Sequence, residues 1–398
     1  MRVVQINTFS NKATGSIMKG IHHQLKLNGH ESYMIWGRGK SGNSDAEISI
    51  EDKIGVKLHG IYTRITDKTG FASNNETRHL LVDLDKIRPH IVHLHNIHGY
   101  YLNIELLFAY LKKNNIKVVW TLHDCWPITG HCAYFSMIGC EKWKTGCYSC
   151  PQKKTYPSSY LIDNSKWNWN KKKEVFSNVD IHIVTVSEWL RSIVLQSYLG
   201  TYPIRTIYNG INLTTFRHVD SNIKCELGIG NKFMILGVAS EWTERKGLDD
   251  FVSLSKSISE EYYIVLVGLS KRQIKQLSNY RNIIALERTD SIEELVELYS
   301  AADVFVNASM EETMGMTTIE AMTCGTPAVV YNVTALPEIM SECSDNIVEP
   351  HDVKGLMTLI NKICHSEKCS NRFRLATMKY DENERYLDYL KLYKEICL

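Results

Sequence analysis

Short apolar runs alternate with amphipathic stretches along almost the whole chain, and the alternation runs through twice. In the first round, residues 3–6 predict a strand and residues 17–27 a helix closed by Asn28-Gly29. Further strands are predicted at 91–94, 118–122, 183–186 and 204–208, with helical patterns between several of them. Strands separated by helices are joined by crossovers, which makes a mostly parallel sheet. A polar stretch near 209–230, entered through the turn Asn209-Gly210, interrupts the rhythm, and a second round follows. It predicts strands at 233–238, 263–267, 283–285, 304–306 and 328–331, and a helix at 248–257. A chain of 398 residues is too long for one ordinary core, so the two rounds read as two α/β domains. Residues 384–396 predict a last helix, with Tyr386, Tyr389, Leu390 and Tyr393 at the i, i+3, i+4, i+7 spacing of a buried stripe.

Composition narrows the class. Hydrophobic residues at 44% and charged residues at 23% are the balance of a globular protein. A net charge of +2 argues against a polyanion binder, so no nucleic-acid partner is expected. No apolar run has bilayer-spanning length, and the first residues enter a strand without a signal-peptide core, so a cytoplasmic location is expected. Of eleven cysteines, five fall between Cys125 and Cys150. In a reducing compartment such clustering suggests metal before disulfides.

The segment 309–327, SMEETMGMTTIEAMTCGTP, carries the densest chemistry. A strand ends near Asn307, a loop with acids and Gly315 follows, and a helix opens near Met316. Such a loop aims backbone N–H groups and the positive helix end at phosphate. Gly315 would keep bulk away from a diphosphate, and Thr317 and Thr318 would add hydroxyl donors. Glu312 and Glu320 could then hydrogen-bond different parts of one extended ligand.

Here the sequence resembles the retaining glycosyltransferases of family 4, with the GT-B architecture of two facing Rossmann-like domains. The resemblance rests on Glu312-x7-Glu320, followed by Ala321-Met322 and Gly325-Thr326-Pro327; on the stretch from Tyr208 to Asn212, ending at Phe216; and on Arg245-Lys246-Gly247. It implies that Glu312 contacts the donor sugar, Glu320 the ribose hydroxyls, and Lys246 the leaving diphosphate. Met314, Gly315, Met316, Thr317 and Thr318 join them as donor-binding positions. It also implies catalysis without a metal cofactor, and no Asp-x-Asp manganese signature is present at a strand end. Family members usually carry an Arg six residues before the Lys; Ser240 stands there, so Arg245 is expected to supply the second positive charge. The final helix is expected to cross back to the N-terminal domain.

In the N-terminal half, the family's Gly-Gly loop after the first strand, where acceptor and donor phosphates come close, is matched by Gly15-Ser16, which are expected donor-binding positions together with Ser240 and Arg245. His123 and Asp124 follow a strand directly, where such folds place the reacting groups. His123 is expected to bond a sugar hydroxyl or the developing oxyanion, with Asp124 as an acceptor-side carboxylate. His93 and His95 are read as facing opposite sides of their strand, as core histidines. Residues 124–163 break the rhythm and read as a Cys-rich insertion, similar to that of family members tied to bacterial surface polysaccharides. Its Cys132, Cys140, Cys147 and Cys150 suit a tetrahedral structural zinc, with His131 as an alternative ligand. Trp167-Asn168-Trp169-Asn170 before Lys171-Lys172-Lys173 reads as a helix face that could also touch a membrane surface.

The expected organisation is residues 1–212 as acceptor-side domain, 213–382 as nucleotide-sugar domain and 383–398 as the returning helix. The expected activity is sugar transfer from a nucleotide-diphosphate sugar, UDP preferred over GDP, to a saccharide or lipid-linked acceptor. An epimerase or hydrolase of the same fold is the second reading, and a binding protein organised by the Cys cluster the third.

Overall fold

A computed structural model describes residues 1–40, 42, 44–366 and 370–398. It divides into two compact units, residues 1–208 with 383–398, and residues 209–382.

The first unit is built on a seven-stranded parallel sheet. Its strands are β1 (Arg2–Phe9), β2 (Glu31–Arg38), β3 (Glu47–Ser49), β4 (Ile91–Leu94), β5 (Lys117–Leu122), β6 (Ile181–Thr185) and β7 (Ile204–Thr206), in the order β3-β2-β1-β4-β5-β6-β7. β1, β4 and β5 are buried almost throughout, as strands covered on both faces must be, with Gln5, Asn7, His93 and Thr121 among their buried polar residues. β2 and β3 escape the sequence reading because ESYMIWGR and EIS mix charged and small residues into their short runs.

The helix Glu382–Cys397 lies in this unit. Tyr386, Tyr389, Leu390 and Tyr393 pack with Val3, Ile21, Leu25, Ile91 and Val119. Gly20 allows the contact, because a Cβ there would fall 2.0 Å from the Tyr386 ring. Two of the tyrosines also satisfy polar groups of the sheet: the Tyr389 hydroxyl bonds Thr121 Oγ1 (3.1 Å) and Tyr393 bonds His93 Nδ1 (2.7 Å).

The second unit carries six parallel strands, β8 (Phe233–Val238), β9 (Tyr262–Val267), β10 (Ile283–Leu286), β11 (Val304–Asn307), β12 (Ala328–Tyr331) and β13 (Ile347–Val348), in the order β10-β9-β8-β11-β12-β13. Ile235, Phe251, Leu266, Val306 and Tyr331 lie in its core. In each sheet the strand order reverses once, between β1 and β4 and between β8 and β11. Ligands of open α/β sheets bind outside the carboxyl ends of the strands at such a point.

Candidate active site

In the second unit the switch point is flanked by two loops. The first leaves β8, passes exposed Ser240, and tightens into a turn at Glu244–Lys246. Gly247 closes that turn at φ +71°, where a Cβ would meet the Ala308 carbonyl oxygen at 2.2 Å. Only glycine lets this turn sit against the end of β11. Two backbone-level bonds fix the approach: Arg245 donates through NH1 to the Glu311 carbonyl (2.7 Å), and its own carbonyl accepts from Met310 N–H (2.8 Å). Arg245 therefore buttresses the acidic loop.

The result brings Lys246 Nζ onto Glu312 Oε1, with both side chains largely buried. Burial works against the charge on Glu312, but Lys246 outweighs it, helped by Arg245 and Ser309, and holds the carboxyl below its ordinary value. Glu312 N–H donates to Thr334 Oγ1 (2.9 Å), which anchors the loop from the other side. One turn into the helix Met316–Thr323, Glu320 accepts from the buried Tyr299 hydroxyl at 2.8 Å. Burial raises the Glu320 carboxyl, and Tyr299 only partly offsets it.

Three donor-side expectations change. Gly315 has φ +84°, and its missing Cβ faces Leu336 and Ile339 at 2.8 and 3.0 Å, so handedness and packing require the glycine here. Thr318 is fully buried, with its hydroxyl accepting from Asn307 Nδ2 (2.9 Å), so it braces the loop and offers no donor outward. Met314 is also buried, its sulfur taking the Asn209 N–H (3.2 Å). Met316 and Thr317 are half-buried at the helix start.

In the first unit, Gly15 lies in the helix Ala13–Leu27, where a Cβ would fall 2.4 Å from the Ser10 carbonyl carbon. Its absent side chain lets the helix press on the strand exit, while Ser16 is exposed. His123 and Asp124 leave the end of β5 in a pocket lined also by His95, His98 and Trp126. His123 Nε2 meets His95 Nδ1 at 3.1 Å with the rings stacked, and burial pushes His123 down to about 4. Asp124 is engaged at both oxygens, Oδ2 by His98 Nε2 (2.7 Å) and Oδ1 by Trp126 N–H (2.9 Å). That arrangement is a brace for the pocket wall more than a carboxylate turned to an acceptor.

The expectation that His93 and His95 face opposite sides fails. Residues two apart on a strand share a face, and the two rings lie 4.2 Å apart. The sequence reading also missed Tyr299 and the His95–His123 contact. A tyrosine in a helical pattern and a histidine in a strand carry no signal of what they meet.

The Cys-rich insertion folds around buried Trp126, Phe135 and Trp143. Cys132, Cys140, Cys147 and Cys150 line one pocket with His131. Among the described residues no three His, Cys, Asp or Glu side chains stand closely enough together to hold a metal ion. The thiols have other partners: Cys132 and Cys150 hydrogen-bond each other, and Cys147 Sγ accepts from Gly130 N–H (3.1 Å). His131 Nδ1 is held by Asp67. The aromatic-basic run is split by its helix, with Trp167, Asn170 and Lys173 exposed and Asn168, Trp169 and Lys172 buried. Lys172 donates to the Trp126 and Thr129 carbonyls, and Lys171 pairs with Glu105 and Glu174.

Comparison with known proteins decides the class. A profile described as "Glycosyltransferase Family 4" matches residues 18–215, and one described as "Glycosyl transferases group 1" matches residues 220–379. The chain belongs to the family 4 glycosyltransferases. The putative colanic acid biosynthesis glycosyl transferase WcaC of Escherichia coli is 26% identical over 231 residues, 54% of this chain. The match spans 56% of that protein, so the chain covers little more than half of its relative. Among solved structures, sucrose-phosphate synthase from Thermosynechococcus elongatus superposes with a TM-score of 0.74 at 18% identity, covering 100% of this chain and 99% of that one. HepE from Anabaena, in complex with UDP, gives a TM-score of 0.68 at 12% identity over 99% and 100% of the two chains. These likenesses establish the GT-B fold for the family 4 chain.

Proposed function

We propose that this chain transfers a sugar, with retention, from a nucleotide-diphosphate sugar to a hydroxyl of a saccharide or lipid-linked acceptor in surface-polysaccharide synthesis. The observation that carries the reading is the Lys246–Glu312 pair beside the Gly315 loop and the opening of the helix Met316–Thr323. Breaking an anomeric C–O bond builds charge on the diphosphate, and a Lys held in a partly dry site lowers that barrier electrostatically. Glu312, kept ionised, places Lys246 and would accept hydroxyl bonds from the sugar. Glu320, pinned by Tyr299, is the ribose-side acceptor. His123, neutral at physiological pH, would hydrogen-bond a sugar hydroxyl.

The UDP preference is supported by the UDP bound in the HepE structure, and the polysaccharide context by the likeness to WcaC, a putative colanic acid biosynthesis glycosyl transferase. No helix among the described residues is long and apolar enough to cross a membrane; a lipid-linked acceptor would be met by peripheral contact with the membrane. The test is incubation with a panel of UDP- and GDP-sugars, with and without a lipid-diphosphate saccharide, reading free nucleotide diphosphate and sugar on the acceptor. Transfer with one donor supports the proposal. Release without transfer to any acceptor points to a hydrolase, and sugar isomerisation without release to an epimerase.

A further inference from the structure

The helix Lys53–Thr66 in the first unit is inside out. Its buried residues are His59, Gly60 and Thr63. Its long aliphatic side chains, Ile54, Leu58, Ile61 and Ile65, point outward and are between 43% and 70% exposed. Their 4-3-4 spacing puts them on one face. A helix that folds only for its own core buries such a stripe.

Here the polar face is instead tied down. His59 accepts the Gly70 N–H at Nε2 (3.1 Å), and its Nδ1 bonds Ser73 Oγ (2.9 Å), so the helix orientation is fixed by hydrogen bonds. The apolar patch does not end with the helix. Tyr160 N–H donates to the Arg64 carbonyl (2.8 Å) and Ile162 N–H to the Ile65 carbonyl (3.2 Å). These bonds lay the exposed side chains of Tyr160, Leu161 and Ile162 against the helix's C-terminal end. Contiguous exposed apolar surface of this kind marks a binding face.

The charge on this helix points to the occupant. Lys53, Lys57 and Arg64 are exposed, and the fourteen residues contain no Asp or Glu, although acids nearly match bases in the chain as a whole. Of the neighbouring carboxylates, Asp52 caps Ile54 N–H and bonds Glu76, which lies against Gly55, and Asp163 takes Ser165 and the Cys150 N–H. Lys68 lies 4.2 Å over the ring of partly exposed Trp167. An apolar helical face edged by cations and aromatics is the pattern that lies in the interface of a bilayer with anionic headgroups.

We propose that the helix Lys53–Thr66, with residues 160–162, docks the enzyme on an anionic lipid surface. This deepens the reading of a lipid-linked acceptor, but docking is measured without donor or acceptor, so the two can fail separately. The full chain should be sedimented with vesicles of equal parts phosphatidylglycerol and phosphatidylcholine, and with phosphatidylcholine alone. Binding is expected to the anionic vesicles and to weaken with salt.

Leu58→Glu with Ile61→Glu, and separately Lys53→Glu with Lys57→Glu, should each weaken it by ~10-fold or more. Because these residues are exposed, melting temperature and nucleotide release should stay at wild-type values. If a variant fails to fold, wild-type binding and its salt dependence still decide. Absence of wild-type binding, equal binding to both vesicle types, or unchanged binding of well-folded variants overturns the proposal. So does sedimentation velocity showing a dimer that Leu58→Glu with Ile61→Glu abolishes, since a second copy would then be the occupant.

Discussion

The two units share a parallel sheet and a single reversal of strand order, yet they bury different chemistry at the strand ends. In the first, four histidines lie beside β4 and β5: His95 bonds His123, His98 bonds Asp124, and His93 bonds Thr121 and Tyr393 of the last helix. Burial pushes His93 down to about 3 and His123 to about 4, so both are neutral in the folded chain. In the second, a lysine and a glutamate are held charged against each other on two loops that glycine brings together. Neutral His93 and His123 orient groups without repelling a sugar, beside the carboxylate of Asp124 that His98 holds. A charged pair stores a field that a developing diphosphate charge can use. The two units thus differ in what they keep charged at the strand ends, and the proposed acceptor and donor roles rest on that difference.

The sharpest way to break this contrast is to remove the charge. Lys246→Ala should lower turnover ~100-fold or more while changing the donor Michaelis constant less, because the contact strengthens as charge develops. Turnover within a factor of two of wild type would make the Lys246–Glu312 pair merely structural. The contrast would then have no mechanistic content.

Acid tests the other half. Burial holds His59 and His123 near about 4 and His93 near about 3, against an ordinary 6.5. Between roughly pH 6.5 and 4 the unfolded chain takes up protons that the folded chain refuses, so stability falls as pH falls through that window and is flat above it. The first unit contains all three residues and should lose ~2 kcal/mol or more between pH 7 and pH 5. Thermal melting followed by hydrogen exchange at both pH values would locate the loss. A loss centred on residues 209–382 would refute the assignment.

Much of this was readable in advance, and the reasons differ by region. β4, β8 and β11 are short, largely apolar runs between helical patterns, and β1 carries Val3, Val4 and Ile6, so their parallel pairing was legible. Glu312 and Glu320 were legible because a strand, a glycine and a helix start frame them. What a side chain meets across the fold was not. Thr318 looks like a phosphate donor until Asn307 is found on its hydroxyl, and the Asp67 that holds His131 Nδ1 comes from 64 residues away, where no local pattern points to it. The stripe from Ile54 to Ile65 has the periodicity of a core face, and periodicity alone does not say which side of a helix is wet.

A smaller effect sharpens the donor side. Glu320→Gln keeps the shape but removes the charge that would accept two ribose hydroxyls. Hydrogen bonds to charged groups are worth ~1.5–3 kcal/mol, so donor affinity should fall several-fold or more. The buried carboxyl is already raised by desolvation, which sets the expectation toward the lower end. Calorimetric titration with the nucleotide diphosphate alone checks it, and an unchanged dissociation constant would take Glu320 out of the site.

The smallest expected effect concerns how the last helix belongs to the first unit. Gly20 lies inside the helix Ala13–Leu27, where alanine would ordinarily stabilise by ~1 kcal/mol. Here a Cβ would fall 2.0 Å from the Tyr386 ring, and that ring is 4% exposed within the core formed with Val3 and Ile21. Overpacking of this kind costs ~1–3 kcal/mol. The clash should therefore cancel the helix preference and leave Gly20→Ala less stable than wild type by ~1 kcal/mol in chemical denaturation. Tyr386→Ala alone should be destabilising, but combined with Gly20→Ala it should release the clash, giving a favourable coupling energy of ~1 kcal/mol or more in the double-mutant cycle. Strict additivity would mean the ring and Gly20 do not meet in solution. The helix Glu382–Cys397 would then be held to the first unit by its other tyrosines alone.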